Sequence, residues 1–287
     1  MKAQINKNII LTDITFIKTY YLKEFQFDLS DSKNTGHSFY DNFQKIQHLN
    51  SNSNEYKYIL LHNLFGPIEY LEELKKISKK KYRVWKNRLI NNIKNVAIYG
   101  DLFELYITWS LAHKKINFSS SDSPDITIFV ENTKIFVECT TSQFNFNKNP
   151  SKEDIFTKLI ETLHSKMIKP YSSPDCALFI DITNLCFHAN SLNLPITEEE
   201  LSNALIKASQ KTIESKKLKN LISFGVIIFM YFDIYDTSGG ESKYACNGFN
   251  IRINSNVNIH LMNFIKKNNL GPHEKKEIKN PKFNHEI

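Results

Sequence analysis

Three acids between residues 100 and 140 have the types and order that metal-assisted phosphodiester chemistry can use: Glu104, Asp125 directly after Pro124, and Glu138 inside the apolar run Ile-Phe-Val-Glu-Cys-Thr. A carboxylate inside so apolar a run is costly to bury unpaired. A hard divalent cation removes that cost, because it takes oxygen ligands and often needs only one or two carboxylates from the protein. Held there, it would lower the pKa of an attacking water and stabilise charge on a phosphate. The competing reading is a half-exposed edge strand whose acids face solvent, as Asp and Glu usually do.

The elements around two of these acids read as a hairpin. Residues 126–130 and 135–139 are short β-prone runs separated by Glu131-Asn132-Thr133-Lys134, a polar link that suits a tight turn. With Asn132 and Thr133 as the loop, Phe129 faces Phe136, Thr127 faces Glu138 and Asp125 faces Thr140. The opposite face then collects Ile126, Ile128, Val130, Ile135, Val137 and Cys139 and is wholly apolar.

A helical Glu, then Pro-Asp opening one strand, then Glu-x-Lys in the next, is the pattern of the PD-(D/E)XK nuclease superfamily, which residues 99–236 resemble. The resemblance implies metal ligation by Asp125, Glu138, the carbonyl of Cys139 and Glu104, with Mg2+ as the cofactor and Mn2+ as an alternative. It also implies a DNA substrate ahead of RNA, in a setting such as restriction or phage defence. Thr140 departs from the pattern, since the family's catalytic lysine belongs there. In some relatives that lysine comes from the following helix, where Lys166 resembles a relocated one. A metal-dependent endonuclease is therefore one expected function, and a catalytically silent relative that binds nucleic acid or a protein is the other.

That following helix is announced by Ser151, a cap whose third-position acid is Asp154, and by the stripe Ile155, Leu159, Leu163 and Met167. Lys166 falls on the boundary of the stripe, while Lys158 and Lys169 point away from it. A boundary lysine can equally snorkel to water. Next come a buried strand at 176–183, an amphipathic helix at 198–217 and a second buried strand at 224–232, a strand-helix-strand crossover in a sheet covered on both faces. Pro174-Asp175 and Asp181-Ile182-Thr183 imitate the acidic pattern but are one strand apart, too close for a hairpin to join them.

Upstream, residues 67–94 read as helical, with Leu71, Leu74, Ile77, Trp85, Leu89 and Ile93 largely at three- and four-residue intervals. Within them Lys79, Lys80, Lys81, Arg83, Lys86 and Arg88 alternate with Tyr82 and Trp85. The run is either a solvated helix face or a segment that contacts nucleic-acid phosphates. The helix bearing Glu104 also carries Asp101 on the same face, a favourable first-turn charge, and would pack Phe103, Tyr106, Ile107, Ser110 and Leu111 inward. Residues 1–66 have no assignable fold; Tyr20, Tyr21, Phe25, Phe39 and Phe43 read as core ahead of base-stacking platforms. Beyond Asp236, residues 237–249, with Gly239 and Gly240, read as a flexible loop, short strands are expected around 251–259, and the end from Gly271 reads as a polar tail.

With 287 residues the chain can bury a sizeable core. Its 37 Lys and Arg against 30 Asp and Glu give a formal charge of +7, which favours an anionic partner. The four cysteines include no Cys-x-x-Cys pair, which argues against zinc and a disulfide framework. No apolar stretch reaches signal or membrane-spanning length, so a cytoplasmic protein without membrane association is expected. The expected fold is α/β: a central mixed sheet flanked by helices, restriction-endonuclease-like, after a mostly helical N-terminal region. Residues 1–95, 96–236 and 237–287 divide as basic helical region, nuclease-like core, and C-terminal strands with tail. A homodimer is left open.

Overall fold

The near-continuous apolar run at 176–181 is buried at every position, as a strand covered on both faces must be. It is β4 (Cys176–Asp181), and the sheet around it follows the order β1-β2-β3-β4-β5-β6: β1 (Phe118–Ser120), β2 (Ile126–Val130), β3 (Thr133–Thr141), β5 (Val226–Asp236) and β6 (Ser242–Arg252). β1, β2 and β3 pair antiparallel, whereas β3, β4 and β5 pair parallel. The computed structural model describes residues 14–50, 53–95, 98–120, 124–130, 132–144, 150–216, 223–236, 242–252 and 256–268.

The helices are α1 (Ile14–Phe25), α2 (Ser38–His48), α3 (Asn54–Tyr58), α4 (Gly66–Ile77), α5 (Lys79–Asn92), α6 (Ile98–His113), α7 (Lys152–Met167), α8 (Thr183–Ser191), α9 (Glu198–Lys216) and α10 (Ile259–Lys267), with a π-helical stretch at Ile59–Phe65. The architecture is thus α/β with a mixed sheet, and none of the described helices is long and apolar enough to cross a membrane. Two compact units divide the chain, one of residues 1–115, 232–245 and 278–287, the other of 116–231 and 246–277.

In the first unit, Tyr21, Phe25, Phe39 and Phe43 are buried. Tyr21 meets Phe25 and Phe39 edge-on at 5.0 and 5.1 Å, and its hydroxyl donates to the carbonyl of Leu64 at 3.0 Å. These aromatics are core. The helical reading of 67–94 resolves into two helices, because Ser78 turns extended and its side chain accepts from Lys81 N, capping α5. The break falls in the eight-residue interval between Ile77 and Trp85, the one gap in a series otherwise spaced by three and four.

In the second unit, α7 and α9 pack on one face of β4 and β5. Ile155, Leu159, Leu163 and Met167 meet Cys176, Leu178 and Ile180, with Leu201, Ala204, Ala208, Ile227 and Phe229 completing the core. α7 begins as the sequence indicates: the Ser151 side chain accepts from Asp154 N, and Asp154 accepts in return from Ser151 N. α8 and β1 were not anticipated. The strands expected around 251–259 are corrected too: β6 ends at Arg252, and Asn258 accepts from His260 N to start α10, which buries Leu261, Phe264 and Ile265. The flexible loop expected over 237–249 is corrected from Ser242 on, where β6 runs, while Gly239, Gly240 and the tail expected from Gly271 lie outside the described residues.

Candidate metal centre

The hairpin register differs from the expected one. Ile126 pairs with Val137 and Val130 with Thr133, which moves every pairing by two residues and brings Thr127 opposite Phe136. A two-residue shift keeps side-chain parity, so the sorting of the two faces survives. Its consequence for the acids is large, since continuing the register by one position sets Asp125 opposite Glu138 rather than Thr140. Asp125 Oδ2 accepts from the backbone N of Cys139 at 2.7 Å, which ties the acid to the strand that carries Glu138.

Parity across the parallel pair then directs Glu138. It is aligned with Leu178, and Phe136 with Cys176, so its side chain lies on the face that α7 covers. Along the edge of α7, Thr162 meets Ser142 hydroxyl to hydroxyl at 2.9 Å, and one turn later Lys166 Nζ donates to Glu138 Oε1 at 2.6 Å. Tyr171, just past the helix, donates its hydroxyl to the same Oε1 at 2.7 Å. Glu138 Oε2 is buried and meets no hydrogen-bond partner among the described residues.

The electrostatics agree with this grouping. Burial first, then the hydrogen bond and charge of Glu138 and the charge of Asp125, push the Tyr171 phenol well above its ordinary range. Burial, followed by the charges of Glu138 and Asp125, does the same to the Cys176 thiol. Two acids therefore act on one small region beside β3 and β4.

Among the described residues no three His, Cys, Asp or Glu are gathered as a metal site. Two carboxylates, one with a buried oxygen that meets no donor among the described residues, nevertheless fit Mg2+, which usually keeps several waters and takes one or two carboxylates from the protein. Thr140, at the position of the family lysine, is half-buried. Lys158 is half-buried and Lys169 exposed. The imitation motif behaves as expected: Asp175 is exposed and accepts from Asn258, while Asp181 caps its own turn by accepting from Thr183.

Glu104 belongs to the first unit and sits in a different network. Arg88 donates to both of its oxygens, at 2.8 and 2.6 Å, and through Nε to Asp101 at 2.9 Å. Asn92 donates to the other Asp101 oxygen at 2.8 Å, and the Arg88 guanidinium lies 4.7 Å from the Trp85 ring centre. Asp101 and Glu104 do share a helix face, and one arginine bridges them. Elsewhere in the basic run, Lys86 pairs with Glu24 at 2.6 Å, Lys81 is partly buried, and Lys79, Lys80 and Arg83 are exposed.

Tyr171 escaped the sequence reading because it stands beyond the helical period, in a turn, where no spacing rule relates it to Glu138. Compared with known proteins, the chain matches no family model, no curated protein and no solved structure.

Proposed function

We propose that this chain is a Mg2+-dependent endonuclease, acting on DNA ahead of RNA, with a restriction-endonuclease-like core. The observation that carries the reading is the divided surroundings of Glu138: Oε1 is held by Lys166 and Tyr171, while buried Oε2 has no donor among the described residues. Asp125, tied through its Oδ2 to the backbone N of Cys139, and the carbonyl of Cys139 would complete an all-oxygen set. Mn2+ would serve in the same place. Bound there, the ion would supply a lowered pKa for the attacking water and charge for the phosphate oxygens. Lys166 is then the cation nearest the reacting phosphate, in the role that Thr140 cannot fill. We assign the ion to Asp125 and Glu138 ahead of Glu104, because Arg88 engages both Glu104 oxygens.

The test is metal-dependent nicking of plasmid DNA and cleavage of RNA by the full chain. Asp125→Ala and Glu138→Ala should each abolish cleavage while leaving the circular-dichroism spectrum unchanged; near wild-type activity in either removes that residue from the site. A second reading, a silent relative that binds nucleic acid or a protein, draws on Thr140 and on the pairing of Lys166 with Glu138. It predicts no cleavage by the wild type with either ion, and a gain of cleavage in Thr140→Lys.

A further inference from the structure

Glu138 Oε1 receives two donors of different kinds, and this points to a division of labour. Lys166 reaches it at 2.6 Å with a charged, flexible side chain that is about one-fifth exposed (21%). Tyr171 reaches it at 2.7 Å with a neutral donor on a rigid ring, which leans against Phe224 at 6.4 Å between centres. A flexible lysine whose ammonium swings across to a phosphate gives up the carboxylate. A tyrosine does not.

We propose that Tyr171 is a positioning residue: it holds Oε1 when Lys166 turns to a phosphate, and so keeps Oε2 of Glu138 aimed at the cation. Without it, the departure of Lys166 would release the carboxylate to rotate, since its remaining oxygen has no donor among the described residues to fix the plane. Partners that orient a metal ligand are typically worth about 10- to 100-fold in metal affinity. Here that worth is masked while Lys166 stays in place, because either donor alone fixes Oε1. The inference rests on the metal site proposed above and adds to it a second donor that backs up the first.

Mn2+ titration of the full-length chain, followed by the electron paramagnetic resonance of the free ion, separates the two ideas. Wild type should bind and Glu138→Gln should not; equal binding by both sinks the metal site itself. Given that difference, Tyr171→Phe alone should change affinity less than about threefold. Lys166→Met should bind as well as wild type or more tightly, having lost a neighbouring positive charge. The double variant should lose about 10- to 100-fold relative to Lys166→Met. Equal affinities of Lys166→Met and the double variant would overturn the role of Tyr171 and leave the metal site standing. Should the double variant fail to fold, Tyr171→Phe is titrated with a phosphorothioate DNA duplex that draws Lys166 away. The duplex should then expose the same loss of Mn2+ affinity, and an unchanged affinity would refute the proposal.

Discussion

Glu138 lies in a sheet face otherwise filled by Phe136, Leu178 and the apolar stripe of α7, so the charge on it must be met from nearby. Lys166 meets part of it, and that contact gives the proposed mechanism a testable centre. If the ammonium also serves the phosphate, its loss removes electrostatic stabilisation of the transition state, typically worth on the order of a hundredfold or more in rate. Lys166→Ala should therefore lower kcat strongly, Lys158→Ala and Lys169→Ala should do much less, and Thr140→Lys should partly restore a Lys166→Ala enzyme. Removing Lys166 also uncovers a buried carboxylate, so kcat is to be compared well below each variant's melting temperature. Equal turnover by Lys166→Ala and wild type would exclude Lys166. Its boundary position on an amphipathic helix was legible in the sequence; its partner became visible only once the strand register was known.

At the scale of elements, α7 carries Lys166 to β3, and its start is fixed by a reciprocal pair of bonds between Ser151 and Asp154. Ser151→Ala should cost about 1 kcal/mol of stability in urea unfolding. Because Lys166 is about four turns away from the cap, turnover below the melting transition should hardly change; a large loss of turnover in a folded Ser151→Ala variant would show that the cap positions the lysine. The cap, the α7 stripe and β4 were readable because each depends on local chemistry or strict periodicity. The sorting of the hairpin faces was readable for a related reason, since parity survives a two-residue slip. The register was not, because Val130 pairs with Thr133 and the turn comes one residue earlier than the one inferred from Asn132 and Thr133. The break at Ser78 falls in the eight-residue interval between Ile77 and Trp85, and a serine before a run of helix formers is itself a cap signal, so both marks of it were present in the sequence.

At the scale of the molecule, the formal charge of +7 is not spread evenly over cations with equal freedom to meet an anionic partner. Arg88 is committed to Asp101 and Glu104, and Lys86 to Glu24, whereas Lys79, Lys80 and Arg83 are exposed on α5. Arg88→Ala would take from the buried carboxylates of Asp101 and Glu104 the cation that bridges them, a change that typically costs about 3 to 5 kcal/mol, so that variant reports on folding and not on binding. The informative variant replaces Lys79, Lys80 and Arg83 together by Gln. If these three side chains contact phosphates, each accounts for about 0.9 units of the slope of log affinity against log salt on duplex DNA, and the triple variant should flatten that slope by up to about three units. Contacts of this kind position a backbone without reading bases, so the loss should be the same on duplexes of unrelated sequence. Fluorescence anisotropy over a range of salt concentrations measures both quantities at once. A slope identical to that of the wild type would return the run to a solvated helix face, and a loss confined to one duplex sequence would mean that these side chains read bases rather than phosphates.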